Sequence, residues 1–257
     1  MNASDAPSTA KTYTTFDGQN LAYIDTGDGP IVLMLHGLTS NAEVNFGMTG
    51  LIDAVTNAGY RVIAPDLRGH GGSTVTPDAE NWPVDAMARD QVALLNKLGE
   101  VPDFVIGYST GALVALRLQV LNAPAKSLLL GGMGDKTAVI GDRTRHDGIS
   151  ALLGRIANGE TGPLEDRVST MLELSSSSAE AVRGSLRHRM TVTEHDIAAM
   201  DIPVLILNGD TDFDNGNGAA LASMFPQARF ESVTGDHMTA LRNPDYVAAV
   251  TAFIAHD

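Results

Sequence analysis

Phe104-Val105-Ile106-Gly107-Tyr108-Ser109-Thr110-Gly111-Ala112 is the stretch that decides how this chain is read. A short apolar run, Phe104 to Ile106, leads into a serine with one glycine two residues before it and another two after. The apolar stretch Ala112 to Leu121 then follows with helical spacing. A serine held out on a sharp strand-to-helix turn crowds its neighbours, and flanking glycines remove the side chains that would collide. The five-residue pattern is weak by itself, because a chain with 26 glycines readily meets it by chance. Its position between a β-like run and a helical one separates it from a loop with an incidental serine.

The same alternation continues on both sides of this turn. Ile31–Leu35, Arg61–Ala64, Ser127–Leu130, Val204–Leu207 and Arg229–Val233 read as further short strands. Asn45–Ala58, Asp85–Leu98, Gly218–Phe225 and Tyr246–Ile254 read as helices, the last started by Asn243 as N-cap and Pro244 at the first helical position. Before residue 30, Lys11–Phe16 and Asn20–Asp25 read as two strands joined at Asp17-Gly18. Continuous apolar strands alternating with helices imply an α/β fold, a mostly parallel, doubly wound sheet of eight strands covered on both faces. The alternation breaks once, between Met133 and Met200, where the helical pieces Ile149–Ala157, Leu164–Leu174 and Ala179–His188 have no strands between them. The division expected is a core of residues 1–132 and 201–257 with a small helical cap, residues 133–200, inserted after the sixth strand. Ser175 to Ser178 reads as a loop or a helix N-cap within that cap.

Composition narrows the function classes. The 257-residue chain is 44% hydrophobic, enough for a sizeable core, and carries a formal charge of −14. An acidic surface repels nucleic-acid phosphates and anionic membranes, so neither is an expected partner. No apolar run approaches the ~18–20 residues that cross a bilayer. Met1 to Thr15 lacks the charged-then-apolar layout of a secretion signal, and a cytoplasmic location is the expectation. The absence of cysteine excludes disulfides and thiolate metal sites.

Polar segments follow the strands in order. His36-Gly37-Leu38-Thr39 comes after the first parallel strand, Asp66 to Ser73 after the next, and then the serine turn. Asn208 to Asp214 follows Val204–Leu207, and Gly235-Asp236-His237 follows the last strand. In open α/β sheets reactive groups gather at the carboxyl ends of the strands. Through these segments the chain resembles the α/β-hydrolase superfamily, as a serine-nucleophile, esterase-like member with a helical lid. The likeness runs from about Thr12 to the C-terminus and is poorest in the lid. It implies Ser109 as nucleophile, His237 as base and Asp212 as the acid that orients the base, in the family's chain order. It also implies an oxyanion hole built from the backbone N–H groups of Leu38 and Thr110.

Other assignments remain open at this stage. Asp135, Asp210 and Asp214 compete with Asp212 for the acid, whereas Asp236 gains nothing from being next to His237 in sequence. His36 is expected to shape the oxyanion loop and to border the pocket, and His70 to be structural. His188 and His195 fall in the lid and read as solvated or packed residues rather than metal ligands, and His146 and His256 have no supporting context. Met133, Met171, Leu174 and Met238, with Leu38, are candidates for an adaptable apolar pocket. Relatives that open epoxides or displace halide carry aspartate where this chain has Ser109. The expected activity is therefore hydrolysis of a small or medium carboxylic ester through an acyl-enzyme. The alternatives are a C–C bond hydrolase, lactonase or perhydrolase using the same residues, or a low-turnover small-molecule receptor. No phosphate cradle or metal-ligand spacing is present, so no cofactor and no metal is expected. The partner expected is a small ester-like molecule, and a homo-oligomer is left open.

Overall fold

The computed structural model describes residues 11–73, 75–123, 125–140, 143–188 and 190–256. One sheet runs through it. Its strands are β1 (Lys11–Thr14), β2 (Asn20–Thr26), β3 (Ile31–Leu35), β4 (Arg61–Pro65), β5 (Phe104–Tyr108), β6 (Ser127–Gly131), β7 (Val204–Gly209) and β8 (Ala228–Val233). They lie side by side in the order β1-β2-β4-β3-β5-β6-β7-β8. β1 and β2 are antiparallel to their neighbours, and every pairing from β4 to β8 is parallel.

Alternate residues of each strand feed two separate cores. On one face Leu33, Leu35, Val105 and Ile206 pack against α2 (Ala86–Leu98), α3 (Thr110–Val120) and α8 (Gly218–Ala222). On the other, Val32, Met34, Ile106 and Leu205 pack against α1 (Leu51–Asn57) and α9 (Pro244–His256). Every residue of β3, β5, β6 and β7 is buried, the pattern that a sheet covered on both faces requires.

Between β6 and β7 lie α4 (Arg143–Ala157), α5 (Pro163–Leu174), α6 (Ala179–Ser185) and α7 (Glu194–Ala198). The first three meet around Leu153, Leu172, Ala179 and Val182, an apolar cluster distinct from the two sheet cores. Ser178 caps α6 by accepting the Ala181 N–H at 3.2 Å. The five-residue α7, held by a reciprocal cap between Thr193 and Asp196, is too short to leave a periodic signal and is absent from the sequence reading. The expected single helix Asn45–Ala58 is also corrected. A wide turn over Glu43–Gly47 precedes α1, and Gly50 at φ +77° separates them, a left-handed backbone that ends any helix running through it. At the other end of the fold, the Asn243 side chain accepts the Asp245 N–H at 2.9 Å and opens α9 as its sequence suggests. Among the described residues no helix is long and apolar enough to cross a membrane.

Candidate active site

Ser109 occupies the turn between β5 and α3 at φ +53°, ψ −113°, a conformation that non-glycine residues rarely adopt. The surrounding fold holds it there. The Ser109 N–H donates to Gly131 O of β6 at 2.8 Å. A Cβ on Gly107 would lie 2.5 Å from Ala112 Cα, and one on Gly111 would run into the Leu35 carbonyl. Both glycines are thus dictated by close backbone approach, and the strained turn pushes Oγ away from the sheet.

His237 arrives from the turn after β8. Asp236 builds that turn: its Oδ1 accepts the N–H groups of Met238 and Thr239, each at 2.9 Å, and the Thr239 hydroxyl at 2.7 Å. His237 Nε2 lies 3.0 Å from Ser109 Oγ, and Nδ1 lies 2.9 Å from Asp212 Oδ2. The Asp212 side chain is 1% exposed and that of His237 11%. A carboxylate only accepts, so Nδ1 carries the proton, Nε2 of the neutral ring is the acceptor, and the Ser109 hydroxyl donates to it. The competing acids are engaged otherwise, although the Asp214 carboxylate comes within 4.8 Å of the His237 ring. Asp135 Oδ1 accepts the Asn217 N–H at 2.8 Å, Asp210 Oδ1 accepts the Gly235 N–H at 3.0 Å, and Asp214 pairs with Arg145 at 3.3 Å.

The N–H groups of Leu38 and Thr110 have no hydrogen-bond partner among the described residues. Thr110 opens α3, where an unsatisfied N–H and the helix dipole both favour negative charge. The Leu38 loop is fixed from its neighbour, since the Gly37 N–H donates to Asn45 Oδ1 at 2.7 Å. Neither Asn45 nor Tyr108 stands out in the sequence. Tyr108 donates its hydroxyl to His237 O at 2.7 Å, and the two rings lie 5.5 Å apart, so it helps hold the histidine in place. Burial pushes the Tyr108 pKa well up, with Asp212 adding to the effect, and the hydroxyl keeps its proton.

A cavity of about 560 Å³ faces Ser109, with Leu38, Leu113, Ile149, Met171, Leu174 and Met238 on its walls. Two expected pocket residues are not there. Met133 is buried at the end of β6, its backbone clamped by the Asn208 amide at 3.1 and 2.9 Å. His36 is fully buried and bonded on both sides: Nε2 accepts the Leu67 N–H at 2.8 Å and Nδ1 donates to Gly37 O at 2.8 Å. It braces the Gly37–Leu38 loop without reaching the cavity. Among the described residues one group of three could share a metal ion, Asp212, Asp214 and His237, and two of its members already bond to each other.

Burial holds the pKa of His36 down to about 4. For His70, whose ring meets that of His36 at 5.1 Å, burial and then the His36 charge bring it to about 3. Unfolding releases both to about 6.5, so below that pH the unfolded chain binds protons that the folded chain refuses. Stability is therefore fully present above about pH 6.5 and falls as the pH drops toward 4. Urea titrations of wild type and His70→Gln at pH 7.5, 6 and 5 are expected to differ in slope by about 1 kcal/mol per pH unit between 6 and 5. Parallel slopes would contradict the assignment.

Residues 30–136 match the family model for the alpha/beta hydrolase fold. Among curated proteins, the bifunctional epoxide hydrolase 2 of Sus scrofa is 34% identical over 97 residues, 38% of this chain and 17% of that protein. The chain thus spans far less than two thirds of the length of such relatives. Among solved structures, a thermophilic esterase from Thermogutta terrifontis superposes with a TM-score of 0.80 at 22% identity, covering 96% of this chain and 98% of that one. A bromoperoxidase from Bacillus anthracis gives a TM-score of 0.72 at 19% identity over 95% of this chain and 100% of the other.

Proposed function

We propose that this chain, which has the α/β-hydrolase fold, is a serine hydrolase of that superfamily cleaving small or medium carboxylic esters. The observation that carries the reading is the continuous relay from Ser109 Oγ through His237 to the buried Asp212, at 3.0 and 2.9 Å. As Ser109 Oγ attacks the ester carbonyl carbon, its proton passes to His237 Nε2 and the carbonyl oxygen becomes an oxyanion. The free N–H groups of Leu38 and Thr110 stabilise that charge. Collapse expels the alcohol, which takes the proton from His237 and leaves an acyl-serine. Water then gives a proton to His237 and attacks the acyl carbon, and the acid departs as Ser109 recovers its proton. Asp212 holds the ring in the required tautomer throughout.

The curated relative named as an epoxide hydrolase does not redirect this reading. Opening an epoxide on Ser109 would form an alkyl ether, which water does not cleave, whereas a carboxylate nucleophile would form a hydrolysable ester. The helices after β6 act in this reading as a cap, closing the cavity over the acyl chain.

The test is hydrolysis of p-nitrophenyl esters of increasing acyl length. Each methylene buried in the apolar cavity adds up to about 0.8 kcal/mol, so kcat/KM is expected to climb and peak at about four to eight carbons. No turnover at any length would overturn the ester assignment.

A further inference from the structure

The cavity does not share the charge of the chain around it. Acidic residues outnumber basic ones by 31 to 17 overall, yet the cavity wall holds Arg145, Arg167 and Arg242 against Asp214 and Asp236. Asp214 is matched to Arg145 at 3.3 Å. Asp236 spends its Oδ1 on its own turn, as described above, and feels Arg167 only through space. Arg167 and Arg242 make no ion pair or side-chain hydrogen bond among the described residues. Other cations are paired, as where Lys11 and Arg61 share Asp25, Arg117 holds Asp85, and Arg155 holds Glu165, and what sets Arg167 and Arg242 apart from the remaining unpaired cations is that both line the cavity.

The position of Arg167 sharpens the point. On α5, Leu164, Arg167, Met171 and Leu174 follow at intervals of three, four and three, so they share one helix face, and all four line the cavity. A stripe built to contact an apolar chain thus carries a single cation. Arg242 also lines the cavity, five residues after the catalytic histidine of the proposed mechanism. Both are guanidinium groups, whose planar fork matches a carboxylate in two parallel hydrogen bonds.

We propose that the substrate is an aliphatic ester whose acyl chain ends in a carboxylate, a dicarboxylic half-ester, with Arg167 and Arg242 receiving the free carboxylate. The proposal rests on the ester-hydrolase reading and adds the charge of the acyl group to it. The chain lies along the apolar stripe, the ester carbonyl meets Ser109, and the carboxylate stays at the partly hydrated rim.

Monomethyl adipate and methyl hexanoate have acyl chains of the same length and differ in the terminal charge. Their hydrolysis is followed by pH-stat titration in wild type, Arg167→Gln and Arg242→Gln. Wild type is expected to favour monomethyl adipate by about tenfold in kcat/KM, with the ratio shrinking in high salt and collapsing toward unity in the two variants. A ratio at or below one in wild type, or one that both variants leave unchanged, overturns the carboxylate site while ester hydrolysis stands. Calorimetric titration of monomethyl adipate into Ser109→Ala separates the two readings if wild type hydrolyses neither ester. Binding that is lost on adding Arg167→Gln supports the anion site and overturns ester hydrolysis. No binding overturns both.

Discussion

Ser109→Ala is expected to lower kcat/KM for p-nitrophenyl esters by about 10⁴-fold or more while the protein stays folded. The substitution removes only Oγ, the atom 3.0 Å from His237 Nε2, and leaves the backbone donors and the cavity in place. The loss should therefore fall on kcat, with KM little changed, and a residual rate above that in water should persist from the oxyanion donors. Asp212→Asn offers a companion measurement. An amide can present its N–H to Nδ1 and turn the imidazole to the wrong tautomer, so a loss of about the same order is expected without any change in cavity shape. Steady-state kinetics with circular dichroism on each variant check both. A Ser109→Ala protein that keeps its activity would remove the serine from the mechanism.

Arg68→Ala is expected to destabilise the fold by about 3–5 kcal/mol, the second large effect. Arg68 is fully buried and gathers two carboxylates. Its guanidinium meets Asp90 at 2.6 and 2.8 Å and Asp17 at 2.7 Å twice, with Asn81 O at 2.6 Å. Burial works against its charge, but the two carboxylates outweigh that and hold its pKa above the ordinary value. Removing the cation leaves Asp90, itself fully buried, either charged without a partner or forced to take up a proton. Urea unfolding should show the loss at neutral pH and a smaller one in acid. Pairing Arg68→Leu with Asp90→Leu should recover more than half of it, because apolar replacement of both partners removes the desolvation problem. A single variant as stable as wild type would show that the network contributes nothing.

The sequence made the sheet legible because strands buried on both faces leave continuous apolar runs, as in Ile31–Leu35 and Val204–Leu207, with no competing reading. The serine turn was legible for a steric reason, since Gly107 and Gly111 answer to backbone atoms of Ala112 and Leu35. What stayed hidden depends on contacts between distant segments. Met133 and His36 looked like pocket residues because they follow strands that end at the site, but Asn208 and the Leu67 N–H draw them into the interior. Tyr108 and Asn45 support His237 and the Gly37–Leu38 loop through single hydrogen bonds, and no local spacing encodes these. The basic cavity wall was masked by an acid excess that is a property of the whole chain, whereas Arg167 and Arg242 come to line one cavity only in three dimensions.

The central claim is that Ser109 forms a covalent acyl-enzyme, and a fluorophosphonate tests it most directly. Attack by Oγ on phosphorus would expel fluoride and leave a stable phosphonyl-serine that intact mass and peptide mapping can read. One adduct per chain is predicted, on the peptide containing Ser109, with labelling absent in Ser109→Ala and slowed in Asp212→Asn. An adduct on another residue, or ester hydrolysis that continues with Ser109 unlabelled, would contradict the account.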